Sequence, residues 1–111
     1  EERKELFDCL ADAKADGVLL ISADRHRSDY WKIERPGDDD LYEFESSRLT
    51  NIHRHGVMKG SIYGYNKTCS FGELEFDTTA ADPTVTYRII TIDGTVDHTF
   101  EVKRSQLSHE R

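Results

Sequence analysis

The chain has 111 residues, of which 36% are hydrophobic and 33% charged, and this composition is typical of one small globular domain. The formal net charge is −7 and the sequence contains no basic stripe that would neutralise a phosphate backbone, so we expect no nucleic-acid partner. The sequence also lacks an apolar run of about 18 residues, which predicts that no helix spans a membrane.

The first predicted element is an amphipathic helix between Arg3 and Ala15. Apolar residues recur there at helical spacing, and three glutamates lie near its start, where the helix dipole favours negative charge. Gly17 follows at the place of a left-handed cap and is expected to end the helix. Residues 18–21 are all apolar, which predicts a strand covered on both faces.

Alternating apolar and charged residues at 31–34 and 42–45 predict two antiparallel strands, each with one solvent-exposed face. The acidic residues at 38–40 between them are typical of a solvated hairpin tip, with a calcium loop as the less favoured interpretation. Weak periodicity at 46–69 predicts a long irregular connection, in which Tyr63 and Tyr65 are expected to pin the loop to the core.

A half-buried strand is predicted around Leu74 and Phe76, and a tight hairpin at 84–103 follows it. The hairpin turn is predicted at Asp93-Gly94, because a two-residue turn of this type requires positive φ. This turn pairs Ile92 with Thr95. The further pairs expected on the buried face are Ile89 with His98, Tyr87 with Phe100, and Val85 with Val102. His98 is then a core histidine and not a metal ligand.

The order of these elements favours the α/β class, or α+β for the chain by itself, with one helix and a mainly antiparallel sheet. A strand covered on both faces needs flanking strands and a layer on each side, but the sequence predicts only one substantial helix. We therefore expect further elements upstream of Glu1. The alternative is that the antiparallel strands cover the second face of a complete small α+β domain.

The chemically most specific residues are Asp24 and His26, directly after the apolar run. The carboxyl end of a strand is where open α/β sheets place their sites. In an extended segment, residues two apart point to the same side, as two ligands of one metal centre require. The alternative is that Asp24 caps a turn and His26 is solvated.

The segment 19–26, Leu-Leu-Ile-Ser-Ala-Asp-Arg-His, resembles the strand and Ser-Gly-Asp-x-His motif of the PhoD-like (alkaline phosphatase D) metallophosphoesterase family. The resemblance continues in order. Segment 41–50 is similar to a family strand ending in Ser-Ser-Gly-Leu-Thr, and segment 71–77 to its Asn-Phe-Gly-Leu-Ile-Glu-Ile-Asp strand. The closing hairpin and 105–107 are similar to the family's terminus.

Three residues depart from the family pattern. Ala23 replaces a glycine, Arg27 stands where an aromatic residue is common, and Arg48 replaces the glycine of Ser-Ser-Gly. None of these changes removes a ligand. Arg48 would strain the backbone if its position requires positive φ, so the loop would then be rearranged or the activity altered.

The resemblance implies that residues 1–111 are the C-terminal portion of a PhoD-like domain, the last part of a four-layer αββα sandwich with a calcineurin-like fold. It implies hydrolysis of small phosphate mono- or diesters at a binuclear centre of Fe, Ca, Mn or Zn, with Asp24 and His26 as metal ligands. The remaining ligands would come from the upstream part of the same domain, so this chain alone is expected to be inactive. A secreted or periplasmic location is compatible with the family.

Three further residues are candidates for lining the site. Arg25 lies between the two proposed ligands, where a bidentate phosphate contact and an outward salt bridge are equally plausible. Asn51 and His53 follow the Ser-Ser-Arg-Leu-Thr segment, with His55 two residues further. Solvated loop histidines are the favoured alternative for that segment.

The predicted strand at 18–21 would expose an edge in the absence of parallel neighbours, so we expect the 111-residue chain to be marginally stable or prone to aggregate. Extending the chain upstream should correct both properties. Size-exclusion chromatography and thermal melting of the two chains test this expectation. A monodisperse short chain with a sharp, cooperative melt would instead support the complete-domain alternative.

Overall fold

The computed structural model of the chain describes residues 1–35, 39–49 and 56–108. Within these ranges one α-helix, seven strands and a 3₁₀ helix follow in chain order: α1 (Glu2–Asp12), β1 (Leu19–Ser22), β2 (Ser28–Ile33), β3 (Leu41–Glu45), β4 (Tyr63–Tyr65), β5 (Ser70–Asp77), β6 (Thr84–Thr91), β7 (Val96–Lys103) and the 3₁₀ helix (Arg104–Leu107). The prediction of an α+β chain with mainly antiparallel strands is therefore confirmed.

The strands form two sheets that face each other. The first sheet has the order β1-β3-β2-β4 and the second the order β5-β6-β7. β1 is parallel to β3, and every other pair is antiparallel. The core between the sheets is mostly aromatic and aliphatic, and its buried members are Tyr30, Tyr42, Phe44, Tyr65, Val85, Tyr87, Ile89, Val102 and Leu107. Tyr65 belongs to this core and Tyr63 packs against it, as predicted.

β1 is an edge strand in the described part of the chain, and the prediction that it is covered on both faces fails at Ile21, although Leu19 and Leu20 are partly buried. Within the described residues β1 pairs only with β3, and Ile21 is 70% exposed. Leu19 packs against the core from the same strand. A run of four apolar residues does not reveal how many neighbours a strand has, because periodicity alone cannot separate an edge strand from a central one.

Helix α1 ends earlier than the sequence predicts. Lys14 adopts a left-handed φ of 51°, and its N–H donates to the carbonyl oxygen of Ala11 at 3.0 Å. Gly17 also has a positive φ, but it lies beyond the helix and donates its N–H to the carbonyl oxygen of Leu107 at 2.9 Å. Gly17 is thus a junction with the 3₁₀ helix and not the helix cap. α1 buries none of its residues, and no helix in the described ranges is long and apolar enough to cross a bilayer.

β2 and β3 form the predicted antiparallel pair, with Trp31 opposite Glu43. Their second face is nevertheless only partly exposed to solvent, since Trp31 and Glu43 are half-buried. The segment 56–62 lies over it, since a methyl group on Gly60 would be 3.1 Å from Cζ3 of Trp31 and one on Gly64 would overlap Val57. The part of the long connection described after residue 55 therefore packs against this face, and it also contains β4.

The turn between β2 and β3 is not simply a solvated tip. Asp39 is only 1% exposed, and its carbonyl oxygen accepts a hydrogen bond from Nε of Arg35 at 2.8 Å. The Asp39 carboxylate also pairs with the Arg35 guanidinium. A buried carboxylate needs such a partner. Asp40 is partly buried and pairs with Lys32 at 3.3 Å, whereas Asp38 lies outside the described residues.

The predicted register of the final hairpin is confirmed along its body. Ile89 lies opposite His98, and the other two predicted core pairs, Tyr87 with Phe100 and Val85 with Val102, are also present. The predicted buried face points to the core, and all of its β6 residues are buried. His98 is half-buried, and its Nε2 shares a hydrogen bond with the Tyr30 hydroxyl at 2.7 Å.

The hairpin tip differs from the prediction. The Thr91 N–H donates to the Thr95 carbonyl oxygen at 2.9 Å, so the loop contains the three residues 92–94 and Ile92 does not pair with Thr95. β7 then carries one extra residue, Asp97, because Ile90 pairs with Val96 while Ile89 pairs with His98. This bulge offsets the longer loop and restores the predicted register in the core.

Gly94 and Gly56 provide a matched test of backbone strain. An added Cβ would meet nothing within 4 Å at either position, but only Gly94 has a positive φ, of 84°. Gly94→Ala should therefore lower the free energy of unfolding by about 1–2 kcal/mol. Gly56→Ala should leave it unchanged or raise it by up to about 1 kcal/mol. Urea denaturation of both variants measures this, and equal effects would contradict the strain assigned to Gly94.

Candidate functional site

The loop at 23–27 joins β1 to β2 across the carboxyl end of β3. β3 lies between these two strands, parallel to β1 and antiparallel to β2, so the loop must cross one strand within five residues. It does so with positive φ at Asp24 (83°) and at His26 (56°). Asp and His are among the residues that most readily adopt this conformation. The segment is therefore not extended, and the same-side projection argued from extended geometry is wrong.

The residues that follow β3 support this loop. The Asp24 N–H donates to the Ser47 hydroxyl at 3.2 Å, and the Ser46 N–H donates to the Ser22 carbonyl oxygen at 3.1 Å. Arg48 has a φ of 64°, so a non-glycine residue occupies left-handed backbone at this position. An arginine there costs about 1–2 kcal/mol relative to glycine.

A buried cluster of charged side chains lies directly beside the loop. Nε of Arg27 donates to Oδ2 of Asp29 at 2.7 Å, and Nη2 of Arg27 lies 3.9 Å from Oε2 of Glu45. The indole Nε1 of Trp31 donates to the second oxygen of Asp29 at 3.0 Å. Arg27, Asp29 and Glu45 are 4%, 0% and 5% exposed, and Asp29 is the direct cross-strand neighbour of Glu45. We call these three residues the buried charge cluster.

Glu45 has the most unusual environment in this cluster. Burial and the charge of Asp29 raise the pKa of Glu45 from 4.5 to about 7, although the Arg27 guanidinium acts in the opposite direction. Its Oε1 has no hydrogen-bond partner among the described residues. A carboxyl group with a pKa near neutrality exchanges protons in the physiological range, which is a property found often at functional sites.

Of the residues predicted for the site, Asp24 and Arg25 are exposed and His26 is half-buried. The Arg25 charge reaches Glu45 electrostatically and slightly lowers its pKa. Within the described ranges no three or more His, Cys, Asp or Glu side chains are grouped so as to hold a metal ion. Asn51, His53 and His55 lie outside the described residues, so their predicted roles are not tested.

The buried charge cluster was not predicted from the sequence as a functional feature. From the sequence, Arg27 is only a departure from the PhoD-like pattern, and the alternation at 42–45 predicts Glu45 on a solvent-exposed face. That prediction is wrong, since Glu45 is 5% exposed. One signal was present, because Asp29 falls in the same alternation phase as Trp31 and Ile33. A charged residue in phase with apolar ones indicates either a strand end or a buried ion pair.

No family model, curated protein or solved structure matches this chain. Its function is therefore inferred from its own residues.

Glu45 should make the stability of the chain depend on pH. Its pKa is higher in the folded protein than the ordinary value of 4.5, so the folded state binds the proton more tightly. The resulting stabilisation is complete below about pH 4.5 and is lost as the pH rises through about 7. Glu45→Gln should remove this loss of stability. At pH 8 its free energy of unfolding should exceed that of the parent chain by roughly 1–3 kcal/mol.

Urea denaturation at pH 5 and pH 8 measures this difference. The exposed Glu101→Gln on β7 is the matched control and should leave the pH dependence of the parent chain unchanged. Parallel pH profiles for the parent and Glu45→Gln would contradict the shifted pKa of Glu45.

Proposed function

We propose that the chain is the C-terminal portion of a PhoD-like metallophosphoesterase domain that hydrolyses phosphate mono- or diesters, and that it supplies Asp24 and His26 as metal ligands. The observation that carries the proposal is the Asp-x-His turn at the carboxyl end of β1, held against Ser47. The ordered resemblance of segments 19–26, 41–50 and 71–77 supports it.

The left-handed backbone at Arg48 also supports the proposal. A PhoD-like sequence has a glycine at this position, and the backbone found here is the one for which glycine is the least strained residue. The backbone at position 48 therefore has the conformation that the glycine of the motif favours, although the residue here is arginine. Arg48 adds this cost in the residue that follows Ser47, whose hydroxyl accepts from the Asp24 N–H.

In this proposal the two sheets are the central layers of a four-layer αββα sandwich, with α1 in an outer layer. The face-to-face packing of the sheets and the exposure of Ile21 at the edge of β1 support this arrangement. In the described residues the side of β1 away from β3 pairs with no strand, and a strand of the upstream part of the domain would pair there.

The donor types fit the proposed metals. A carboxylate and an imidazole bind Fe, Mn and Zn, and carboxylate oxygen also suits Ca. Two ligands do not complete such a site, since a catalytic zinc takes about three protein ligands plus water. The remaining ligands are therefore assigned to other parts of the domain.

When bound, a pair of metal ions supplies an activated water and stabilises the charge that develops at phosphorus. The chain's own residues would bind the metal ions and attract the substrate. Asp24 and His26 would contribute a carboxylate and an imidazole ligand, and the exposed Arg25 between them would add a positive charge that attracts a phosphate group. The overall charge of −7 does not oppose this, because bound metal ions dominate the local field.

The rival hypothesis is a small, non-catalytic α+β binding or structural domain. The shared core of the two sheets favours it, since the first sheet is already covered on one face by the second. In that case Asp24 only closes a turn and binding of a divalent metal should not stabilise the chain.

The two hypotheses differ in metal binding and in turnover. In the complete enzyme, Asp24→Ala or His26→Ala should abolish hydrolysis of a chromogenic phosphate monoester or diester, because each removes a ligand directly. This chain alone should bind Mn²⁺ or Zn²⁺ weakly and hydrolyse neither ester. Asp12→Ala, at the exposed end of α1, is the matched control and should keep full activity.

Isothermal titration calorimetry measures metal binding and a phosphatase assay with added Mn, Fe, Zn or Ca measures turnover. Robust metal-dependent turnover by the 111-residue chain, or near-normal activity of either ligand variant, would reject the proposal.

A further inference from the structure

The loop at 23–27 carries two left-handed residues, and each such residue other than glycine costs on the order of 1 kcal/mol or more. A strained conformation of this kind persists only where its surroundings determine it. The contacts that surround the loop therefore decide whether Asp24 and His26 keep their positions. On the β1 side these contacts are the bond from the Asp24 N–H to the Ser47 hydroxyl and the bond from the Ser46 N–H to the Ser22 carbonyl oxygen.

On the β2 side the loop ends in a buried ion pair. Arg27 directly follows His26, and its guanidinium is held by Asp29 on β2 and lies near Glu45 on β3. Asp29 is fixed in turn by the Trp31 indole. The backbone of Arg27 is thereby tied to two strands, and the conformational freedom of the preceding residue is reduced.

A second contact fixes the same end of the loop to the opposite sheet. The Ser28 hydroxyl shares a hydrogen bond with the Ser70 hydroxyl at 2.8 Å, and the Ser70 N–H donates to the Arg48 carbonyl oxygen at 3.2 Å. The residues after β3, the start of β2 and the start of β5 are thus joined around the loop. Two of the three departures from the family pattern, Arg27 and Arg48, belong to this network.

We propose that Arg27, Asp29 and Glu45 are positioning residues that hold Asp24 and His26 in their left-handed conformation, with Arg27 as the central member. The inference rests on the proposed function for the role of the two held residues, but the geometry it describes is independent of any metal. Arginine suits this role because its planar guanidinium reaches two carboxylates at once, whereas lysine offers a single ammonium group.

A double variant separates positioning from stability. Removing one partner of a buried ion pair is strongly destabilising, while replacing both with neutral residues is often neutral. Arg27→Met with Asp29→Asn keeps the volume of both side chains and leaves an oxygen to accept the Trp31 N–H. Burial is the largest cause of the raised pKa of Glu45 and is kept in this variant, so measurement at mildly acidic pH favours a neutral Glu45 that needs no counter-charge.

We expect the double variant to melt within a few degrees of the parent chain, but the Asp24 amide should exchange with solvent roughly tenfold faster. Residual dipolar couplings of the Asp24 and His26 amides should change as well. Mn²⁺ affinity should fall about 10–100-fold, as found for residues that orient metal ligands. Arg27→Lys, which keeps the charge, should change all three quantities in the same direction but less.

The matched control is Arg88→Met with Glu73→Gln, since these residues form a 3.0 Å ion pair on the exposed face of the second sheet. This variant should leave the Asp24 amide and Mn²⁺ affinity unchanged. Parent-like exchange and couplings at Asp24 and His26 in a folded double variant would overturn the inference, and so would parent-like values in Arg27→Lys if the double variant does not fold.

A failure of the proposed function has a different signature. A parent chain that binds no Mn²⁺ contradicts the ligand assignment, while the exchange and coupling measurements still decide whether the cluster holds the loop.

Discussion

The packing of Tyr30 between the two sheets is the interaction on which the rest of the structure depends. Its ring stacks on Phe100 at 4.4 Å and meets Tyr87 edge-on at 6.0 Å, while its hydroxyl bonds to His98. Such aromatic pairs contribute about 0.5–1.5 kcal/mol each beyond their buried area. Because Tyr30 lies on β2, these contacts also fix the strand into which the Asp-x-His loop leads. The sheets, the loop and the buried charges are therefore parts of one packed unit.

The order of the strands explains why charge is buried beside the loop. β1 and β2 flank β3, so the loop crosses the end of β3 and brings Arg27 over Asp29 and Glu45. Burying these groups costs several kcal/mol per ion, which the ion pair and its hydrogen bonds only partly offset. A loop path that moved Arg27 away would leave the buried Asp29 carboxylate without its counter-charge, with only the Trp31 indole as a partner. Aromatic packing thus stabilises the core, whereas the buried ion pair fixes the position of the loop.

The sequence predicted the hairpin body because alternation in β6 and β7 leaves one choice of buried face. It failed at the tip, since a three-residue loop with a left-handed glycine uses the same Asp-Gly pair as a two-residue turn. The exposure of Ile21 was missed because the strand's own residues do not report its neighbours. Asp29, Asp39 and Glu45 were missed because hydropathy treats every carboxylate as solvated. The strain at Arg48 was anticipated, since the motif's glycine indicated the backbone that the position requires.

Because of the bulge at Asp97, the three-residue loop at the hairpin tip does not shift the register of the core pairs. The extra residue also directs its carboxylate to the hydroxyl of Tyr63 on β4, and this bond raises the pKa of Tyr63 to about 12. The tip loop and the Tyr63 contact are therefore not independent. A related sequence with a two-residue turn would need no bulge to keep Ile89 opposite His98, and it would have no residue placed to reach β4 in this way. Turn length in the last hairpin and an acidic partner for the β4 tyrosine are thus expected to change together among related chains.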